Sequence, residues 1–134
     1  MKSDLVVSGK RKTAVAKATI KSGSGKITIN KQPISFLPEL KQLEIMEPLI
    51  IAKETLGKMD FDISVNVTGG GLASQVEASR LSIARAIIEF TKNVSVKTAF
   101  LAYDRNLLIA DTRRKEACKP GDSKARARRQ TSYR

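Results

Sequence analysis

The sequence predicts one domain that mixes strands and helices and ends in a long basic extension. Three observations predict it. The chain has 134 residues, enough for one compact domain and too few for two ordinary ones. Apolar residues alternate with period two in some stretches and recur at helical spacing in others. The charge is unevenly placed: residues 1–26 hold seven basic and one acidic side chain, residues 27–111 nine and ten, and residues 112–134 nine and two. A near-neutral body thus lies between two cationic ends.

In chain order, Leu5 to Ser8 reads as a first strand. From Thr13 to Lys21, Ala14, Ala16, Ala18 and Ile20 alternate with Thr13, Val15, Lys17, Thr19 and Lys21, a strand with a thin apolar side and a partly basic outer side. Ser22 to Gly25 is turn chemistry. Ile27 and Ile29 then alternate again, so the two runs read as a hairpin. Leu40, Leu43 and Met46 recur at helical spacing. Pro48 is expected to stop or kink that helix, with Leu49, Ala52 and Leu56 continuing the stripe to Gly57. Phe61, Ile63, Val65 and Val67 alternate strictly with polar residues, the clearest strand in the chain.

Gly69-Gly70-Gly71 precedes a helix expected over 73–91. Val76, Ile83, Ala84, Ile87, Ile88 and Phe90 fall on its inner arc, and Ser74, Gln75, Ser82, Arg85 and Glu89 on its outer arc. Arg80 lies inside the apolar arc, so either Glu77 pairs with it or its head reaches a ligand. Residues 94–102 suit a strand or a helix equally, and 106–110 suit a short strand. Apolar patterning stops after Asp111.

The net charge of +12 implies a polyanionic partner. With no histidine, the chain lacks the commonest acid–base group and the commonest metal ligand. Cys118 is the sole cysteine, which excludes an internal disulfide and a cysteine-built zinc cage. No catalytic residue, metal site or cofactor is expected. The short apolar run after the N-terminal residues and the lack of any 20-residue apolar stretch predict a soluble, cytoplasmic product with no membrane partner.

The glycine triplet at a helix start invites a phosphate loop. The dinucleotide pattern fails at Ser74, and the Walker pattern fails around Gly25-Lys26, where Ile20 and Ile27 replace required residues. Asp60 and Asp62, two apart, read as solvated strand residues. Lys10-Arg11-Lys12 suits phosphate binding, and a hairpin placing it beside Lys26 would make one basic rim. The strongest signal is 112–134, with Arg113, Arg114, Lys115, Lys119, Lys124, Arg126, Arg128, Arg129 and Arg134 set among small or polar residues. Extended, such a stretch reaches ~75–80 Å. Its self-repulsion predicts disorder until a polyanion orders it. Ordering costs ~1–2 kcal/mol per residue, so many simultaneous phosphate contacts are needed, as a large folded RNA provides.

The motifs together resemble those of the universal ninth protein of the small ribosomal subunit, in its archaeal/eukaryotic-type form. Three segments carry the resemblance: Gly9-Lys10-Arg11-Lys12-Thr13-Ala14-Val15-Ala16; Val67 to Gln75 with Arg80 and Ala84-Arg85-Ala86; and Gly121, Lys124-Ala125-Arg126 and Ser132-Tyr133-Arg134. Cys118 and Pro120 stand where that family commonly has a basic and an aromatic residue. The resemblance implies an α+β, two-layer domain over 1–111 with a left-handed βαβ connection, and a basic extension over 112–134. It implies a non-enzymatic constituent of the subunit head that takes part in translation on the cytoplasmic ribosome. Its implied partners are small-subunit ribosomal RNA, the peptidyl-site transfer RNA and neighbouring head proteins, with no small-molecule substrate. Ribosomal RNA would meet Lys10, Arg11, Lys12, Gly69, Gly70, Gly71, Gln75, Arg80, Arg113, Arg114, Lys115, Lys119, Lys124, Arg126 and Arg128. Transfer RNA would meet Arg129, Ser132, Tyr133 and Arg134. The competing readings are a general nucleic-acid compactor and a small-molecule kinase of related fold using the glycine turn.

Overall fold

The computed structural model describes residues 4–121, 124–128 and 130–134. It is an α+β domain built on a five-stranded mixed sheet with three helices. The strands are β1 (Leu5–Arg11), β2 (Ala14–Ser22), β3 (Ile27–Ile29), β4 (Gln32–Pro33) and β5 (Phe61–Thr68), in the order β1-β2-β5-β3-β4. β3 runs parallel to β5, with Ile27 opposite Ile63, and the other pairs are antiparallel. The helices are α1 (Glu39–Leu56), α2 (Leu72–Thr91) and α3 (Val94–Tyr103). α1 therefore connects the adjacent parallel strands β3 and β5. α2 lies on β1, β2 and β5, and α1 packs on α2 and α3.

The hairpin is not where the alternation suggested. β2 and β3 do not pair, because β5 inserts between them. The two alternating runs share a neighbour, which local pattern cannot reveal. β5 has the fullest apolar face, Phe61, Ile63, Val65 and Val67, all buried, and its central position pairs both of its edges while α2 packs on the sheet. The Ser22–Lys26 turn is fastened to β5. Asp62 accepts backbone N–H bonds from Ser24 at 2.9 Å and Lys26 at 2.8 Å. Those bonds, Lys26's first, hold its carboxyl below the ordinary carboxylate range. Asp62 is thus a turn clamp, and Asp60 precedes the strand.

The true hairpin is β1–β2, with Arg11 opposite Ala14 and Lys12-Thr13 as its two-residue turn. Lys12 takes a left-handed φ of 52°, as tight hairpins demand. Nine residues of β2 then separate Lys12 from the turn that carries Lys26. At ~3.3 Å per residue the two ends stand apart, so Lys26 does not share a rim with Lys10-Arg11-Lys12.

The thin face of β2 explains the packing. Ala14, Ala16, Ala18 and Ile20 are fully buried, and small residues let α2 approach closely. The approach is tightest at Gly9 of β1. A Cβ there would lie 2.5 Å from the carbonyl oxygen of Ala78 and 2.8 Å from the backbone nitrogen of Ser82. The expected outer-arc residue Ser82 is instead fully buried, as is Ser79. Each donates its hydroxyl to a backbone carbonyl of α2, of Ser79 and Gln75 respectively, which meets the requirement that buried polar groups be bonded. α2 is covered by the sheet on one side and α1 on another, so one apolar arc could not describe it.

α1 runs through Pro48 without stopping. A proline in a helix interior costs ~3 kcal/mol. Burying Ile45, Pro48, Leu49 and Ala52 on one face contributes on the order of 1.5–3 kcal/mol per large side chain, which outweighs that cost. The expected stripe of Leu40, Leu43 and Met46 is exposed. Residues 94–102 resolve as helix, capped by Asn93, whose side chain accepts from the Ser95 N–H at 2.9 Å. Residues 105–107 form one 3₁₀ turn in place of a strand, because the Asp104 carboxylate accepts the Asn106 N–H. From residue 112 onward the described residues form no helix or strand, and nearly all are exposed.

Candidate nucleic-acid interface

One end of the domain gathers three segments that are far apart in sequence: the Lys12-Thr13 turn, the glycine turn that starts α2, and the start of the C-terminal stretch. Gly69 and Gly70 take positive φ of 76° and 68°, which L side chains rarely adopt. A Cβ on Gly69 would also lie 2.6 Å from the Thr13 carbonyl oxygen, and one on Gly70 3.1 Å from Ala14 Cβ. The glycine turn therefore packs against the hairpin on the Gly69–Gly70 side, while the space beside Gly71 is open. Gln75 Nε2 donates to the Gly69 carbonyl at 3.1 Å and locks the turn to the first turn of α2. Gly71, the residue before the helix, offers no side-chain cap, so free N–H groups remain at the α2 start.

Arg11, Lys12, Thr13, Arg113, Arg114 and Lys115 line one open cleft beside this turn. Its cations fall into two sets. Arg11 pairs with Glu77 and, at 2.7 Å, with Asp111. Arg113 pairs with the same Asp111 at 2.7 Å. Lys12, Arg114 and Lys115 make no ion pair among the described residues, nor does Lys10, which lies outside this cleft, and all four are exposed. These groups are open to an anion, although Arg114 also donates to the Asp111 and Arg113 carbonyls at 3.4 and 3.1 Å.

Asp111 is a clasp that no local motif marks. Its carboxylate accepts the Arg113 backbone N–H at 2.9 Å, grips the Arg113 guanidinium and holds Arg11 on β1. The Arg113 side-chain bonds, then its backbone bond and the Arg11 charge, keep the carboxyl far below its usual range. With a depressed folded value, the clasp contributes fully above the unfolded carboxylate range near pH 4 and is lost as pH falls through the lower folded value. The Arg113 amide resonance should accordingly hold its bonded position from neutral pH to about pH 4 and move only below that. In Asp111→Ala it should sit at the free position at every pH.

Arg80 does not pair with Glu77, one of its two expected alternatives. It pairs with Glu47 of α1 and, at 3.3 Å, with Asp104, while Glu77 goes to Arg11. It lines a smaller cleft with Lys10, Arg11 and Arg113. Arg85 ties the body together from the same helix, donating to the Leu108 carbonyl at 2.9 Å and the Ser8 carbonyl at 3.2 Å.

Lys119, Lys124, Arg126, Arg128, Ser132, Tyr133 and Arg134 are exposed in the C-terminal stretch, with Arg126 paired to Glu116 at 2.9 Å. Arg129 lies outside the described residues. Cys118 is an exposed free thiol. Among the described residues no group of acids and cysteines could hold a metal ion, and no helix is long and apolar enough to cross a membrane.

Residues 9–134 match the family model described as "Ribosomal protein S9/S16". A protein of Methanococcus maripaludis named "Small ribosomal subunit protein uS9" is 49% identical over 129 residues, covering 94% of this chain and 95% of the relative. A protein of the same name from Methanococcus vannielii is 51% identical over 129 residues, with the same coverage.

Proposed function

The chain belongs to the ribosomal protein S9 family, a structural and non-enzymatic family, and on that premise we propose that it is a constituent of the head of the small ribosomal subunit that binds ribosomal RNA through its body and tail and meets the peptidyl-site transfer RNA with its C-terminal end. It works on the cytoplasmic ribosome, and this reading includes a left-handed β3–α1–β5 connection, as the resemblance implies. The observation that supports the RNA contacts is the convergence of three basic or glycine-rich segments on one end of the domain. Lys10, Lys12, Arg114 and Lys115 are exposed and make no ion pair among the described residues, and α2 points an uncapped N-terminus toward the same region. Both favour phosphate. Such contacts position a nucleic acid without reading its sequence.

Residues 112–134 carry nine cations and two acids and gain fixed shape on RNA, as arginine-rich segments do. Arg113, Arg114, Lys115, Lys119, Lys124, Arg126 and Arg128 neutralise ribosomal RNA phosphates. Arg129, Ser132, Tyr133 and Arg134 reach the transfer RNA backbone, a contact suited to a site that holds every transfer RNA in turn. Lys10, Arg11, Lys12, Gly69, Gly70, Gly71, Gln75 and Arg80 meet ribosomal RNA from the body, Arg11 and Arg80 while also paired to acids that hold the rim in place.

Deleting Ser132–Arg134 tests the transfer RNA contact. The truncated chain should still enter small subunits, while peptidyl-site transfer RNA dissociates about tenfold faster, the scale of one charge-assisted contact. Equal retention on truncated and intact subunits counts against it. A general compactor would bind bulk DNA as well as ribosomal RNA, and competition at moderate salt separates the two.

A further inference from the structure

α1 has two apolar faces, and the domain covers one of them. Ile45, Pro48, Leu49 and Ala52 are buried against the body. At 100° per residue, the opposite third of the helix carries Leu40, Leu43, Met46 and Ile50 interleaved with Glu39, Glu47 and Glu54, and no lysine or arginine. Leu40 is 75% exposed, Leu43 55%, Met46 40% and Ile50 48%, and Phe36 in the 3₁₀ turn just before the helix is 73% exposed. Scattered exposed apolar side chains are ordinary, but a contiguous stripe of large ones marks an interaction site.

The charge on this stripe is opposite to that of the molecule. The chain carries +12, yet α1 has four glutamates against two lysines. Glu47 is held by Arg80. Glu39 and Glu54 are exposed and make no ion pair among the described residues. Carboxylates repel phosphate, and apolar side chains gain nothing from a phosphate backbone. RNA is therefore the wrong occupant. The matching surface is apolar at its centre and cationic at its edge.

We propose that this outer face of α1 docks a basic segment of a neighbouring small-subunit protein, with Phe36, Leu40, Leu43 and Ile50 as anchors and Glu39 and Glu54 as the charged rim. The proposal rests on the ribosomal reading above and names the partner's chemistry. Anchors in the centre would supply most of the affinity, and the glutamates would select a cationic partner over an acidic one.

The test places a photo-reactive benzoyl-phenylalanine at position 43 of the full chain in living cells, isolates small subunits on a gradient, irradiates them and identifies the adduct by mass spectrometry. The expected adduct joins position 43 to a lysine- or arginine-rich stretch of another ribosomal protein. In a second arm, Leu43→Lys with Ile50→Lys should leave this chain's own occupancy in the subunit unchanged and lower that partner's occupancy about tenfold. An adduct to RNA, an adduct to a second copy, no adduct, or unchanged occupancy of every neighbour would each overturn the docking proposal. Absence of the chain from the subunit fraction would overturn the ribosomal reading itself, so the two failures are told apart.

Discussion

Replacing Lys12, Arg114 and Lys115 together with alanine should weaken binding to small-subunit ribosomal RNA about 100-fold at about 0.15 M salt. Each lost phosphate contact removes ~0.9 from the slope of log affinity against log salt, so the slope should flatten by between two and three. The fold should be unchanged, because all three side chains are exposed and none makes an ion pair among the described residues. Filter binding across a salt series, with thermal unfolding as the control, reads both quantities. The same triple change should lower affinity for unrelated RNA by a similar factor, since phosphate contacts carry no sequence information. A loss under threefold would remove the cleft beside the glycine turn from the interface.

Gly9→Val should be the most damaging single change to the fold. The first added carbon already overlaps two backbone atoms of α2, the Ala78 carbonyl oxygen and the Ser82 nitrogen. Backbone cannot rotate aside as a long side chain can, so helix and sheet must separate. Overpacking costs ~1–3 kcal/mol for a modest insertion and more for a branched one. Valine's preference for strands returns at most ~1 kcal/mol. A net loss of about 3 kcal/mol is a large part of the ~5–15 kcal/mol that holds a domain together. Urea unfolding should show a lower midpoint with little change in slope. Ser8→Val, one residue earlier on the exposed face, should leave the midpoint nearly where it was. Equal midpoints for the two variants would mean that the sheet and α2 are not in backbone contact at Gly9.

Which features the sequence displays follows from how local their physics is. β5 is plain to read because every second residue is apolar and the strand is covered on one face only. Its partners are not, because pairing is long-range: β2 and β3 look like a hairpin until β5 is known to lie between them. The α1 stripe of Leu40, Leu43 and Met46 has helical spacing and turned out to face away from the body, since periodicity identifies an apolar face without saying what covers it. Residues 94–102 stayed ambiguous because a short run with valines at alternating positions fits both periods, and only the Asn93 cap decides it.

The candidate site divides the same way. Lys10-Arg11-Lys12, the glycine triplet and the basic extension are each visible as motifs. That the first two touch, through Gly69 and Thr13, is a tertiary fact. Arg80 advertises its oddity from within an apolar arc, but its partners Glu47 and Asp104 are 33 and 24 residues away. Asp111 looks like the last acid before a basic run, and nothing local marks it as the group that fastens that run to β1.

The Asp111 clasp has a kinetic consequence. It tethers the C-terminal stretch beside the cationic cleft, so if the body seats on RNA as proposed, the next captures would take place within one complex. A short flexible tether gives a local concentration in the millimolar range. Under that proposal, contacts too weak to persist on free RNA would close in sequence from the tether outward, and the far end would arrive last, at whatever lies within reach of 23 extended residues.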